Sequence, residues 1–171
     1  TSLEEQQIAA TLGIDNYFMT NALMTDKPIY ELEGYKYQAN LFDGFSQGLQ
    51  EYYLNNGIQL VLDEETNKEG VELLDGWIEY WQKGDLEQFE KSFPKKETDP
   101  DATKEEQVAL EEYNNKLLTV RDAEMTENIE KLLNSDEGKT YFIVVGSGHY
   151  VGEDGVINNL KKKGYTVTQI K

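Results

Sequence analysis

Residues 140–170 read TYFIVVGSGHYVGEDGVINNLKKKGYTVTQI, and the expected fold turns on this stretch. Tyr141 to Val145 is a continuous apolar run of strand length, the pattern of a strand covered on both faces. A glycine-rich turn follows, from Gly146 through Ser147, Gly148 and His149 to Gly152. Val156, Ile157 and Leu160 then recur at helical spacing. Lys161, Lys162 and Lys163 fall in the last turn, where cations suit the helix dipole. Gly164 suits the position just past a helix end. Tyr165 to Ile170 alternates threonine with larger residues, as a more exposed strand does. The unit reads as strand–helix–strand, which implies parallel strands and a right-handed crossover. The expected class is therefore α/β: mostly helical, with a small and at least partly parallel sheet. Ligands of such sheets bind beyond the carboxyl ends of the strands, and His149 falls there.

Upstream, Pro28 to Glu33 also has strand length, and Gly34 ends it. Ser2 and Glu5 form a capping box for a first helix stopped by Gly13, and Asp15 caps a second through Leu23. Apolar residues recur helically from Tyr35 to Lys91, with Gly57 and Gly84 as expected breaks. Ser92 to Lys104 holds two of the three prolines and reads as a loop. A long helix is expected from about Thr103 to Asn134. The chain then reads as one unit over 1–171, with 28–33 and 140–171 sheet-forming and 35–134 helical. It contains no internal repeat and no low-complexity tract.

The 171 residues suffice to bury one core. With 16 basic and 33 acidic residues the net charge is −17, which repels phosphate backbones and anionic lipid. Nucleic-acid partners are therefore not expected. No apolar run approaches the ~18 residues of a membrane span, so no insertion of this chain is expected. The absence of cysteine excludes disulfides, thiolate metal sites and a cysteine nucleophile. The chain opens on Thr1 without Met, which reads as a processed or cut-down chain. It holds one histidine, which limits the catalysis it can perform alone.

Three residues stand out for chemistry. His149 is either structural or a ligand or general base, and its place after Gly146 and Gly148 brings the functional reading level with the structural one, since glycines permit close backbone approach. The Gly146-Ser147-Gly148 turn has the look of a phosphate cradle, but its glycine spacing departs from the dinucleotide fingerprint. Arg121 is the chain's only arginine. On a wheel of about 100° per residue it falls inside the stripe of Leu110, Leu117, Met125, Leu118, Ile129 and Leu132. Asn114 and Asn128 fall there too. A guanidinium in that stripe needs a partner. Either it closes an internal salt bridge or snorkels from the stripe's edge, or it anchors a catalytic carboxylate or a substrate carbonyl. Glu33 ends its segment before a glycine, and a carboxylate there either is solvated, ligates a metal or acts as base. No Gly-x-Ser-x-Gly elbow and no second histidine completes a familiar site.

These residues also carry a resemblance. Leu118 to Met125, then Tyr141 to Val156, then Gly164 to Val167, together with Leu12 to Asp15, Lys27 to Glu33, Gln38 and Trp81 to Asp85 upstream, resemble the TraB/GumN family in order along nearly the whole chain. That family includes TIKI-type metalloproteases. The resemblance implies a carboxyl-terminal portion of such a domain. Of the family's two Gly-x-x-His motifs only the second is present, Gly146 to His149; the first would lie before Thr1. The family's acid maps to Glu33. Its Arg-Asn pair maps to Arg121 and Asp122, a departure at the second position, and Ser147 stands where alanine is usual. The implied activity is hydrolysis of a peptide or protein by a divalent metal, Mn²⁺, Co²⁺ or Zn²⁺, that activates water. His149 and Glu33 would be ligands or a ligand and base, and Arg121 would polarise the carbonyl or hold Glu33. An extracytoplasmic, cell-envelope location follows from the same resemblance. Two rival readings stand beside it: a non-catalytic peptide- or protein-binding domain with a vestigial site, and a scaffold that keeps only an Arg121–Glu33 bridge. Oligomeric state is open.

Overall fold

The computed structural model describes residues 13–93, 96, 98, 100, 102–135 and 138–170. The helices are α1 (Ile14–Met24), α2 (Tyr35–Asp43), α3 (Gln47–Leu62), α4 (Glu64–Lys83), α5 (Leu86–Ser92), α6 (Lys104–Tyr113), α7 (Val120–Leu133) and α8 (Val156–Lys162). The capping box read at Ser2 lies outside the described residues. Side-chain caps set several starts. Ser46 accepts from the Leu49 amide, Asp63 from those of Glu65 and Thr66, and Asp85 from that of Gln88. Thr103 and Glu106 form a reciprocal capping box at α6. Gly84 ends α4 with φ +64°, a left-handed position. Gly57, by contrast, breaks nothing and lies within α3.

The long helix expected over 103–134 is present but not uniform. A wider π-helical segment, Asn114–Thr119, joins α6 to α7 and resets the phase of the helix just before Arg121. The two ends serve different cores. Phe45, Leu49, Ala109 and Leu117 form one, which holds α3 against α6. Met125, Ile129 and Val156 form the other, with Leu32, Ile143, Val145 and Leu160 packed around it. Glu112 fastens the turn before α3 by accepting from the Ser46 amide at 3.0 Å and from its hydroxyl.

The expected sheet is absent. Among the described residues there is no strand, so the α/β class, the parallel sheet and the strand–helix–strand unit all give way to an all-helical architecture with extended connections. Residues 28–31, 140–146 and 165–170 carry no backbone ladder to one another. Burial of apolar side chains, which the sequence pattern reports, is satisfied without pairing. Ile143 and Val145 pack onto α7 and α8, while Phe142 is 72 % exposed and leans on Phe18 of α1. The run is thus covered on one side only. Residues 165–170 are tied down by side chains instead: Tyr165 bonds Asn134 and Glu130, and Gln169 donates to the Gly84 carbonyl at 2.8 Å.

Two glycines give a contrasting test. A Cβ at Gly155 would lie 2.2 Å from the Val151 carbonyl oxygen, a backbone atom that cannot move aside cheaply. Gly155→Ala is expected to cost at least about 2 kcal/mol in urea unfolding. At Gly57 the Cβ would meet nothing within 4 Å. Gly57→Ala is expected to stabilise by about 0.5–1 kcal/mol. Equal effects at the two sites would contradict this packing.

Candidate functional site

Helix α7 carries the centre of the site. Arg121 leaves it through the apolar stripe and grips Glu33 with two nitrogens: Nε to Oε1 at 2.9 Å and Nη2 to Oε2 at 2.7 Å. Its third nitrogen, Nη1, donates to the Leu117 carbonyl at 3.3 Å. The Glu33 side chain is only 7 % exposed. Two helical turns further along, Asn128 donates to the Leu32 carbonyl at 3.1 Å. The polar residues that interrupt the stripe therefore clamp the Leu32–Glu33 segment onto α7. The Glu33 hydrogen bond raises the Arg121 pKa further, against the opposing effect of burial.

Tyr37 of α2 stands beside this pair. Burial, a hydrogen bond to Glu124 and the charges of Glu124 and Glu33 push its phenol up to about 12, with Arg121 opposing.

His149 is held by a different acid. Its Nδ1 lies 2.6 Å from Oδ1 of Asp122, whose side chain is fully buried. A carboxylate accepts there from Nδ1–H, the tautomer in which a neutral imidazole keeps its lone pair on Nε2. His149 sits in a short 3₁₀ turn, Ser147–His149. Helix α5 supports that turn. Phe93 fills the space beneath Gly148, where a Cβ would lie 2.5 Å from Cζ, and Glu90 accepts from the Gly152 amide at 2.9 Å. Gly148 is thus required for close approach. The Gly152 carbonyl in turn accepts from Asn158 of α8.

Of the sequence-predicted residues, Glu33 and Arg121 come together directly. His149 binds neither; it joins them through Asp122, the residue after Arg121. Gly146 and Ser147 line a groove of about 270 Å³ that α1, α4 and α5 complete. Sequence reading missed Asp122 as the histidine's partner. On the same wheel Asp122 falls at about 140°, just outside Ile129 on the flank of the apolar stripe, a place that marks it as near the core but does not choose the histidine as its partner. Glu90 and Phe93 gave no comparable signal, because their role depends on how α5 docks.

The donor set tests whether a metal fits. Among the described residues no three His, Cys, Asp or Glu side chains gather where one ion could bind. Both Glu33 oxygens accept from Arg121, and His149 spends Nδ1 on Asp122. Catalytic zinc sites use about three protein ligands. The described residues therefore do not by themselves fit the expected divalent ion. No helix among them is long and apolar enough to cross a membrane.

The helical frame thus presents a Glu33–Arg121 pair and, from the next residue of α7, an Asp122–His149 pair on a glycine turn. The family model described as "TraB/PrgY/gumN family" matches residues 1–169, and the chain belongs to that family. Its relatives include a protein named Metalloprotease TIKI homolog from Amphimedon queenslandica, 39% identical over 42% of this chain and 15% of its own length. A second, of the same name from Nematostella vectensis, is 26% identical over 99% of this chain and 38% of its own length. Metalloprotease TIKI1 from Danio rerio is 33% identical over 32% of this chain and 11% of its own length. The chain thus spans well under half the length of the curated relatives it matches. No solved structure matches it.

Two outcomes are expected. Arg121→Met strands a buried carboxylate and should cost about 3–5 kcal/mol, whereas Arg121→Met with Glu33→Met should recover most of it. A single-variant loss below about 1 kcal/mol in urea unfolding would make the pair no more than a surface bridge. In an ultraviolet phenolate titration, the difference between the chain and its Tyr37→Phe variant should have its midpoint near 12, not near 10. The sign follows from neighbouring acids and burial, which both oppose the phenolate.

Proposed function

We propose that this chain is the His149-bearing part of a peptidase-like hydrolase acting on a peptide or protein. The observation that carries the reading is the 2.6 Å contact between Asp122 and His149 Nδ1. A buried carboxylate on Nδ1 fixes the tautomer and orientation of the ring, so that Nε2 can take a proton from attacking water. The relatives' name, metalloprotease, agrees with hydrolysis of an amide. Arg121 has its Nε and Nη2 on Glu33, so it serves to hold that carboxylate in place and not to polarise a carbonyl.

Within this chain the proton chemistry falls to His149, the orientation of its ring to Asp122, and the fixing of the neighbouring carboxylate to Arg121. No step is assigned to a metal, because the described donors do not assemble a site for one. A second reading, a binding domain with a vestigial site, draws on one observation: Arg121 already engages both Glu33 oxygens.

The test separates the two. In the protein that carries this chain, hydrolysis of fluorescein-labelled casein is followed for Asp122→Asn and His149→Gln. Asp122→Asn keeps the shape but favours the wrong tautomer, so the rate is expected to fall by on the order of 10³-fold or more with folding retained. Unchanged hydrolysis in both variants would remove the catalytic role and leave the binding reading.

A further inference from the structure

The groove beside the glycine turn is the other feature able to meet a ligand. It opens between α1, α4 and α5, and its volume is about 270 Å³. Pockets for small-molecule ligands run to roughly 300–1,000 Å³, so this one suits a single large side chain. Trp77, Trp81, Phe89 and Phe93 supply aromatic walls, and Ser147 stands at the turn. Trp77 is fixed in place: its Nε1 donates to the Ser92 carbonyl at 3.1 Å, and its ring meets Phe93 at 5.0 Å. The wall that Trp77 and Phe93 form is therefore preformed.

Two observations select the occupant. The first is continuity with His149. Gly146 lines the groove, and a Cβ there would lie 3.7 Å from His149 Cδ2, the carbon beside Nε2. One glycine thus separates the groove from the edge of the imidazole that Asp122 leaves free. The second is charge. Among the described residues the only charged side chain on the lining is that of Asp15, which is exposed, in a chain of net charge −17. An anionic ligand is disfavoured, and a cation next to the buried group is favoured.

We infer that this groove is the side-chain subsite of the peptide substrate, and that it takes an aromatic residue flanked by lysine or arginine. The aromatic side chain enters between the tryptophans and phenylalanines. The backbone beside it runs along Gly146 and Ser147 and brings an amide carbonyl toward His149. The basic neighbour pairs with Asp15. A glycine at 146 keeps this path open, since any side chain there would stand between groove and imidazole. The inference rests on the hydrolase reading for the direction of the carbonyl, but not for the occupancy of the groove.

The experiment measures binding, apart from turnover. The chain is titrated with acetyl-Lys-Phe-amide, acetyl-Lys-Ala-amide and acetyl-Glu-Phe-amide while the two indole N–H resonances, those of Trp77 and Trp81, are followed by NMR. The Lys-Phe peptide is expected to shift both and to bind at least about tenfold more tightly than Lys-Ala, the difference made by burying one aromatic side chain. It should also bind about twofold or more above Glu-Phe at low salt, and Asp15→Asn should erase that second margin. Leu74→Phe, which fills the groove from α4, should abolish Lys-Phe binding. Equal binding of the Phe and Ala peptides, or unmoved indole resonances up to millimolar peptide, would overturn the inference. The peptide comparison on the unaltered chain decides even if Leu74→Phe does not fold. Peptide binding without casein hydrolysis would leave the groove standing and sink the hydrolase reading. Hydrolysis indifferent to an aromatic residue, with no binding in the groove, would do the reverse.

Discussion

A guanidinium inside an apolar helix face has to be paired, and the arrangement of the site follows from how this chain meets that demand. Arg121 reaches Glu33 with a fork of two nitrogens and steadies its own fork on the Leu117 carbonyl. Such a pair does not add much net stability, because desolvation of both charges offsets most of the attraction. What it supplies is a fixed position. Once Glu33 is bound, Leu32 is brought against Met125 and Ile129, and its carbonyl falls to Asn128. The irregular segment after α1 therefore has one place to lie. The neighbouring Asp122 leaves the helix about 100° away and faces the glycine turn. One turn of α7 thus fixes two separate acids.

The glycine turn is held from below and from behind. Phe93 occupies the volume that a side chain on Gly148 would need, and the Val151 carbonyl occupies the volume beside Gly155. These close approaches explain two glycines by sterics alone, with no appeal to a phosphate. They also show why His149 can be ordered on so short a turn. Its ring is pinned at Nδ1 by Asp122, its backbone amide donates to the Gly146 carbonyl at 2.9 Å, and the loop beyond it is fastened by Glu90 and Asn158. An imidazole held this way has little rotational freedom left to lose.

Helices were legible in the sequence, whereas the sheet was a misreading. Periodicity locates α1, the 103–134 helix and α8, and Gly84 the end of α4, because these signals are local; Asp15, read as a cap, instead lies in the first turn of α1, whose N-cap Gly13 makes no side-chain bond. The same pattern logic expected the run from Tyr141 to Val145 to be covered on both faces, whereas Ile143 and Val145 pack inward and Phe142 stays exposed. It did not report what covers them. A strand exists only if a second backbone takes its hydrogen bonds, and that is a long-range fact no apolar run encodes. Helices α7 and α8 cover the run instead. At the site, Arg121 and Glu33 were visible because each is anomalous in its own place: the lone arginine lies in an apolar stripe, and the acid stands before a glycine. The Asp122–His149 contact was not visible, since thirty-three acids surround one histidine and only packing chooses among them.

That choice of packing also accounts for the chain's one arginine. Its remaining 15 basic residues are lysine, and pairs such as Lys83 with Glu79 and Lys91 with Glu87 lie on exposed helix faces. Exposed pairs tolerate a flexible point charge, and they contribute little. The Glu33 position makes a stricter demand. Its partner has to satisfy both carboxylate oxygens and the Leu117 carbonyl from one direction, in a plane, while staying charged under partial burial. A lysine ammonium, set at the end of a flexible stem, has neither the fork nor the reach in two directions. The arginine is therefore tied to geometry rather than to charge alone. The residue that follows, Asp122, meets His149, so the chain's one arginine and its one histidine are set by adjacent positions of α7.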